Sequence, residues 1–221
     1  MTSTVLVTGA NRGIGLEFCK LYKQQGHQVI GVCRKKSPDL EALGVEIIDG
    51  IDVTNQNNLD ALKQKLSGRT IDILINNAGL LCQESLDNMN WEQIQRQFEV
   101  NTLGPLRVTH TLLDNLKEGS KVALITSRMG SIQDNGSGGN YGYRMSKAAL
   151  NAAGKSLALD LKPRKIAVAL LHPGYVQTEM TGFTGDIKPD EAASRLVQRI
   201  EGLNLENSGS FWHSNGELLP W

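Results

Sequence analysis

A chain of 221 residues is long enough to bury a sizeable core and short enough to form one domain. Its 23 Lys and Arg balance its 23 Asp and Glu, so it lacks the basic surplus of a nucleic-acid reader. Three widely spaced cysteines without a Cys-x-x-Cys argue against a disulfide framework or a zinc site, no apolar run approaches the ~18 residues that span a bilayer, and the start lacks a basic patch followed by an apolar stretch. The expectation is a soluble, cytoplasmic protein that works without a metal, partnered by neither nucleic acid nor membrane.

The first strand is expected over Thr4–Val7. It runs into Thr8-Gly9-Ala10-Asn11-Arg12-Gly13-Ile14-Gly15, and a helix over Ile14–Gln25 follows. Glycines at a strand-to-helix turn let the backbone approach a pyrophosphate, which the free N–H groups and dipole of the helix then hold. No Gly-Lys-Ser/Thr follows, which weakens the kinase-type alternative. The second strand, Gln28–Cys33, ends in Arg34-Lys35-Lys36 with no acid before Asp39. Readers of NAD place Asp or Glu there to hold a ribose hydroxyl. A carboxylate would repel a 2′-phosphate, whereas a guanidinium grips it in a fork of hydrogen bonds. Arg34 is therefore expected to read NADP(H), with Arg12 as a second positive charge. A third strand over Val45–Ile48 leads to Asp52, which either accepts from the adenine amine or caps the helix Gln56–Leu66. A fourth, Ile71–Ile75, opens onto Asn76-Asn77-Ala78-Gly79, whose small residues suit close backbone approach to a cofactor.

A long helix is expected over Trp91–Leu116, with Asn101 amid apolar residues. A buried asparagine must find partners. It either bonds backbone and holds a water that relays protons, or is structural. The fifth strand, Val122–Thr126, delivers Ser127 to the carboxyl edge of the sheet, where a hydroxyl can stabilise charge developing on a carbonyl. Ser131 is the alternative further along. The helix Gly142–Leu161 carries Tyr143 and Lys147 four residues apart, on one face. A free tyrosine has a pKa near 10, and an ammonium beside it is expected to lower that value toward working pH. Tyr141 has Met145 at the same spacing and so lacks a lysine. Strands over Ile166–Leu171 and Ser210–Trp212 and a helix over Glu191–Ile200 complete the chain. This alternation predicts an α/β fold. It is a single Rossmann-type domain over 1–221, a doubly wound parallel sheet of about seven strands with helices on both faces.

These motifs, in this order, resemble the short-chain dehydrogenase/reductase family over essentially the whole chain. The matching stretches are the glycine loop Thr8–Gly15, Asn76–Gly79, Asn101, Ser127, Tyr143 to Lys147, and Pro173-Gly174 with Thr178. The opening Asn-Arg-Gly-Ile-Gly-Leu-Glu, Cys33-Arg34 and the ending Asn215-Gly-Glu-Leu-Leu-Pro-Trp221 are similar to the C-factor and sniffer-like carbonyl reductase branch. The resemblance implies that Tyr143 moves the substrate proton, Lys147 tunes it and binds the nicotinamide ribose, Ser127 orients the carbonyl and Asn101 completes the relay. It implies that Asn77 and Gly79 line the cofactor, with Val53, Ala78 and Val176 on the same face. Pro173 and Gly174 turn beside the nicotinamide, and Thr178 bonds its carboxamide or a phosphate. It also implies a homodimer or homotetramer joined through the helices bearing Asn101 and Tyr143.

The chain is shorter than typical members. Only Glu179 to Ile187 separates Thr178 from the helix near Pro189, so the lid is short and the site open to varied carbonyl or alcohol substrates. Leu80, Leu81, Cys82, Gln133, Asn135, Tyr175 and Met180 either line the pocket or belong to core and loops. His172 has no partner acid or nucleophile in sequence reach and is given no role. The apolar ending Leu218 to Trp221 is expected to pack on the body or a neighbour. Two rival functions stand beside a carbonyl reductase: a protein that binds NADP(H) as a regulatory ligand, and a sugar epimerase or dehydratase, for which the C-terminal region is small.

Overall fold

The Val-, Ile- and Leu-rich runs become seven strands in a computed structural model that describes residues 2–221. The strands are β1 Thr4–Thr8, β2 Gln28–Val32, β3 Glu46–Ile48, β4 Ile71–Asn76, β5 Leu116–Ile125, β6 Ala167–His172 and β7 Phe211–His213. They pair in parallel in the order β3-β2-β1-β4-β5-β6-β7. The helices are α1 Gly13–Gln24, α2 Pro38–Ala42, α3 Gln56–Lys65, α4 Trp91–Phe98, α5 Gly104–Thr111, α6 Tyr141–Leu161 and α7 Pro189–Glu201. From β1 the order steps one way to β2 and the other way to β4. Such a reversal opens a crevice at the carboxyl ends of the strands.

Alternation along β1 divides the core between the two faces. Val5 and Val7 pack with Phe18 and Tyr22 of α1 and Leu196 and Ile200 of α7. Leu6 points the other way, into a layer with Leu59 and Leu62 of α3, Val108 of α5 and Leu150 and Leu161 of α6. A Cβ on Gly154 of α6 would lie 2.7 Å from Leu124 and from Leu170, so this glycine lets α6 settle closely on β5 and β6. The chain ending also packs: the Trp221 ring stacks on Phe211 of β7 and Leu219 is buried, whereas Leu218 stays exposed.

The long helix expected over Trp91–Leu116 is broken. α4 ends at Phe98, a wide π turn spans Glu99–Leu103, and α5 stops at Thr111. Pro105 has no N–H to give the helical ladder, and Gly104 allows the approach of Val53, which a Cβ would meet at 2.9 Å. Leu116 belongs instead to β5, which starts six residues earlier than expected and pairs with Ile71 before a register shift. The short helix α2 was not expected; Ser37 caps it by accepting from the Leu40 N–H at 3.2 Å, with Pro38 in its first turn.

Asn115 closes the junction below these strands. Its Nδ2 donates to the carbonyls of Leu66 at 2.7 Å and Arg69 at 2.8 Å, and its own carbonyl accepts from the Ile71 N–H. Asn115→Leu would strand these acceptors in a nearly buried site. It is expected to destabilise the fold by about 1–3 kcal/mol, read as a lower urea midpoint with an unchanged m-value.

Candidate active site

The turn after β1 is shaped by contacts a side chain would forbid. Gly9 has φ +66° and Gly13 φ +54°, in the left-handed region that favours glycine. A Cβ on Gly9 would lie 2.9 Å from the Ala78 Cα. The Thr8 hydroxyl accepts from the N–H groups of Asn77 and Ala78 at 3.0 and 3.1 Å, and Asn77 Nδ2 donates back to the Thr8 and Gly9 carbonyls. The ends of β1 and β4 are thereby laced together. Gly15 is buried beneath this lacing: a Cβ there would sit 2.2 Å from the Gly9 carbonyl oxygen. Its role is packing, and it does not line the cleft above. Arg12 is the N-cap of α1, offers no side-chain acceptor, and is followed by no acid in the first turn. The helix therefore presents an uncapped positive end, a fit for phosphate.

A cleft of about 660 Å³ opens over this edge. Gly9, Asn11, Arg12, Gly13, Ile14, Arg34, Asp52, Val53, Asn77, Ala78, Gly79 and Thr178 all line it. Lys36 pairs with Glu41, whereas Arg34 and Lys35 face the cleft. Arg12, expected as a second positive charge, lines the cleft in an ion pair with Glu179. Both partners are more than half exposed, so little holds the pair shut. Asp52 accepts from the Thr54 N–H and hydroxyl and from Arg96, and these bonds hold its carboxyl below the usual range despite partial burial. It does not cap α3; Asn55 does, accepting from Asn58. Pro173, Gly174 and Val176 lie in the turn after β6, outside this lining; Gly174 has φ +99° and Val176 bridges to Ile187.

The reacting candidates gather at the next strand end. Ser127 follows β5, accepts from the Met129 N–H at 3.2 Å and stands close enough to the Tyr143 phenol to favour its ionisation. A Cβ on Gly130 would lie 2.7 Å from the Lys147 backbone, so this turn rests directly on α6. Lys147 Nζ donates to the Ile125 carbonyl at 2.8 Å and lies 5.7 Å from the centre of the Tyr143 ring. Ser131 is committed elsewhere, donating to the Trp221 carbonyl and accepting from Asp134. Asn101 sits in the π turn with no exposure. Its Oδ1 accepts from the Leu80 N–H and its Nδ2 donates to the Leu80 carbonyl, both at 2.7 Å, and to the Ser146 hydroxyl at 3.0 Å. Its side chain therefore clamps a loop to α6.

The expected downward tuning of Tyr143 is not found in this structure. Burial pushes Tyr143 up to about 12, with the Ser127 hydroxyl opposing, and brings Lys147 down to about 7. Loss of water disfavours the charged form of each.

The short chain dehydrogenase profile matches residues 3–189. The chain belongs to the short-chain dehydrogenase family. It is 42% identical over 225 residues to 1-hydroxy-2-glutathionyl-2-methyl-3-butene dehydrogenase of Rhodococcus sp. strain AD45, covering 99% of this chain and 100% of that one. The carbonyl reductase Sniffer of D. melanogaster superposes with TM-score 0.92 at 30% identity, over all of both chains. NADPH-bound carbonyl reductase from chicken fatty liver superposes with TM-score 0.90 at 28% identity, over 100% of this chain and 99% of that one. The seven-stranded parallel architecture and the sniffer-like branch expected from the sequence are both met. Among the described residues, no helix is long and apolar enough to cross a membrane.

Arg96 and Glu179 line the cleft and were not foreseen. Arg96 sits on α4 and reaches Asp52 across 44 positions of sequence, a pairing no local pattern announces.

Buried Lys147 gives the cofactor-free protein a pH signature. The unfolded lysine holds its proton to about 10.5 and the folded one to about 7. Above about pH 7 the unfolded state therefore binds more protons, and stability rises with pH. From about pH 7 to 8.5 the stability of wild type relative to Lys147→Met should rise, at most by about 1.4 kcal/mol per pH unit. Denaturant titrations across that range check it; a flat difference would contradict it.

Proposed function

We propose that this protein is an NADP(H)-dependent carbonyl reductase, able to run in reverse as an alcohol dehydrogenase, with Tyr143 as its general acid and base. The observation that carries the reading is the burial of Ser127, Tyr143 and Lys147 together, with Tyr143 one helical turn before Lys147, at the end of the strand next to cleft-lining β4. When bound, the cofactor supplies the hydride in reduction and takes it in oxidation.

The protein's own groups do the rest. Gly9, Gly13 and the uncapped start of α1 receive the pyrophosphate. Arg34, free of any ion pair among the described residues, takes the 2′-phosphate, and Arg12 joins it once released by Glu179. The chicken liver neighbour's bound NADPH supports this choice of cofactor. Ser127 donates to the substrate carbonyl and holds it against Tyr143. The phenol, kept protonated by burial, gives its proton to the oxygen as negative charge develops there. Lys147 binds the nicotinamide ribose and favours phenolate when it carries its charge. Asn101 serves this reaction by holding the Leu80 loop against α6. Trp91 and Phe98, seven apart on α4, and Met145 and Leu159 on α6 are exposed apolar groups that a second copy would cover in a homodimer or homotetramer. The three cysteines are unpaired, in keeping with a reducing cytoplasm.

A panel of carbonyls assayed with NADPH and NADH tests the reading, including the aldehyde form of the compound that names the Rhodococcus relative. Wild type should oxidise NADPH, and Tyr143→Phe should lose about 100-fold or more in kcat while still binding cofactor. Tight NADPH binding with no turnover over the panel would instead identify a regulatory protein. In a separate test, Arg34→Asp should weaken NADPH by about 10- to 100-fold and leave NADH nearly unchanged. Unchanged NADPH affinity would remove Arg34 from the site.

A further inference from the structure

Helix α6 begins without its own cap. Asn140, its N-cap, is in the left-handed region at φ +49° and makes no side-chain cap bond, and the first turn contains no acid. The missing acceptor comes from 58 positions upstream. Glu84, 5% exposed, directs Oε2 at the Gly142 N–H at 3.2 Å, and its main-chain carbonyl accepts from the Asn140 N–H at 2.8 Å. Its Oε1 accepts from Nε2 of Gln97, a residue with no exposure, and Gln97 Oε1 accepts from the Cys82 N–H at 2.8 Å. No Lys, Arg or His pairs with Glu84 among the described residues; a buried carboxylate is held here by amides and by the positive end of a 21-residue helix. Gly142 makes the approach possible. A Cβ there would lie 2.5 Å from Gln97 Nε2, 2.9 Å from the Ile94 Cα and 3.1 Å from Glu84 Oε1.

Gln97 and Asn101 are four residues apart and bind the same loop, at Cys82 and Leu80. Their ties reach α6 at Gly142, through Glu84, and at Ser146, through Asn101. Those two positions are also four apart, and each immediately precedes a reacting candidate, Tyr143 and Lys147. The back of the helix is thus gripped at two successive turns, directly behind the two groups.

We infer that Glu84, braced by Gln97, is a positioning residue for Tyr143: it fixes the first turn of α6 so that the phenol meets Ser127 and the substrate oxygen. This rests on the acid–base reading of Tyr143 given above. Displacement of a reacting group by an ångström costs up to about 100-fold in rate, so a positioning tie is visible in kcat.

Donor and acceptor chemistry supplies the test. Glu84→Gln still offers an oxygen to Gly142 but sets its amide against the Gln97 amide, donor to donor. Adding Gln97→Glu restores every pair with the charge moved from position 84 to position 97. On a reduced carbonyl of the panel, Glu84→Gln should lower kcat by about 10-fold with KM for NADPH within about twofold, and the double exchange should recover kcat to within about threefold. In a Tyr143→Phe background, Glu84→Gln should add no further loss, since both changes act on one group. Unchanged kcat in a folded Glu84→Gln enzyme overturns the inference while leaving an inactive Tyr143→Phe to support the acid–base reading. So does an equal loss in the Tyr143→Phe background, or a double exchange that restores thermal stability but not kcat. A fully active Tyr143→Phe enzyme overturns both.

Discussion

The Lys147 ammonium nitrogen donates to the main-chain carbonyl of Ile125, and much of the site's geometry hangs on that contact. It ties the second turn of α6 to the last residue of β5. Ser127 stands two residues beyond that carbonyl, and Tyr143 one helical turn before that lysine. A bond between helix and strand end therefore sets the spacing of all three side chains. Gly130 and Gly154 make it attainable, because side chains at either position would hold the helix off.

The same burial that fixes these groups sets their charge states. Water is withdrawn from phenol and ammonium alike, so Tyr143 is held as a proton donor and Lys147 loses much of its preference for the charged form. The cleft beside them has the opposite character. Arg34 and Lys35 lie at an open edge beside an uncapped helix, where positive charge is well solvated and available to an anion, and Arg12 stands there in an exposed pair with Glu179. A dry cluster of candidate reacting groups next to an open, cationic cleft suits a long, charged cofactor.

Much of this was legible in the residues. Short apolar runs alternating with helical stretches announced a parallel sheet, since strands covered on both faces need no polar alternation. The glycine turn, Asn76–Gly79, Ser127 and the Tyr143–Lys147 spacing were recognisable because each is local: a strand end, a tight turn, one helical turn. The break at Glu99–Leu103 was not read, although Gly104-Pro105 marks it, because the apolar pattern continues through the wide turn. Glu84 left no trace at all, since a lone acid in a loop has meaning only when another helix begins beside it.

By itself the sequence determined the fold class, the glycine turn after the first strand, the basic run after the second, and the candidates for an acid–base pair. These follow from backbone sterics, periodicity and residue chemistry over short spans. Only the tertiary structure decided that Arg12 meets Glu179, that Asn101 clamps a loop, that Gly15 serves packing, and that Lys147 does not bring Tyr143 down. Each of those outcomes depends on which groups lose water together and on partners brought from tens of positions away, and neither distance nor desolvation is written in the order of residues.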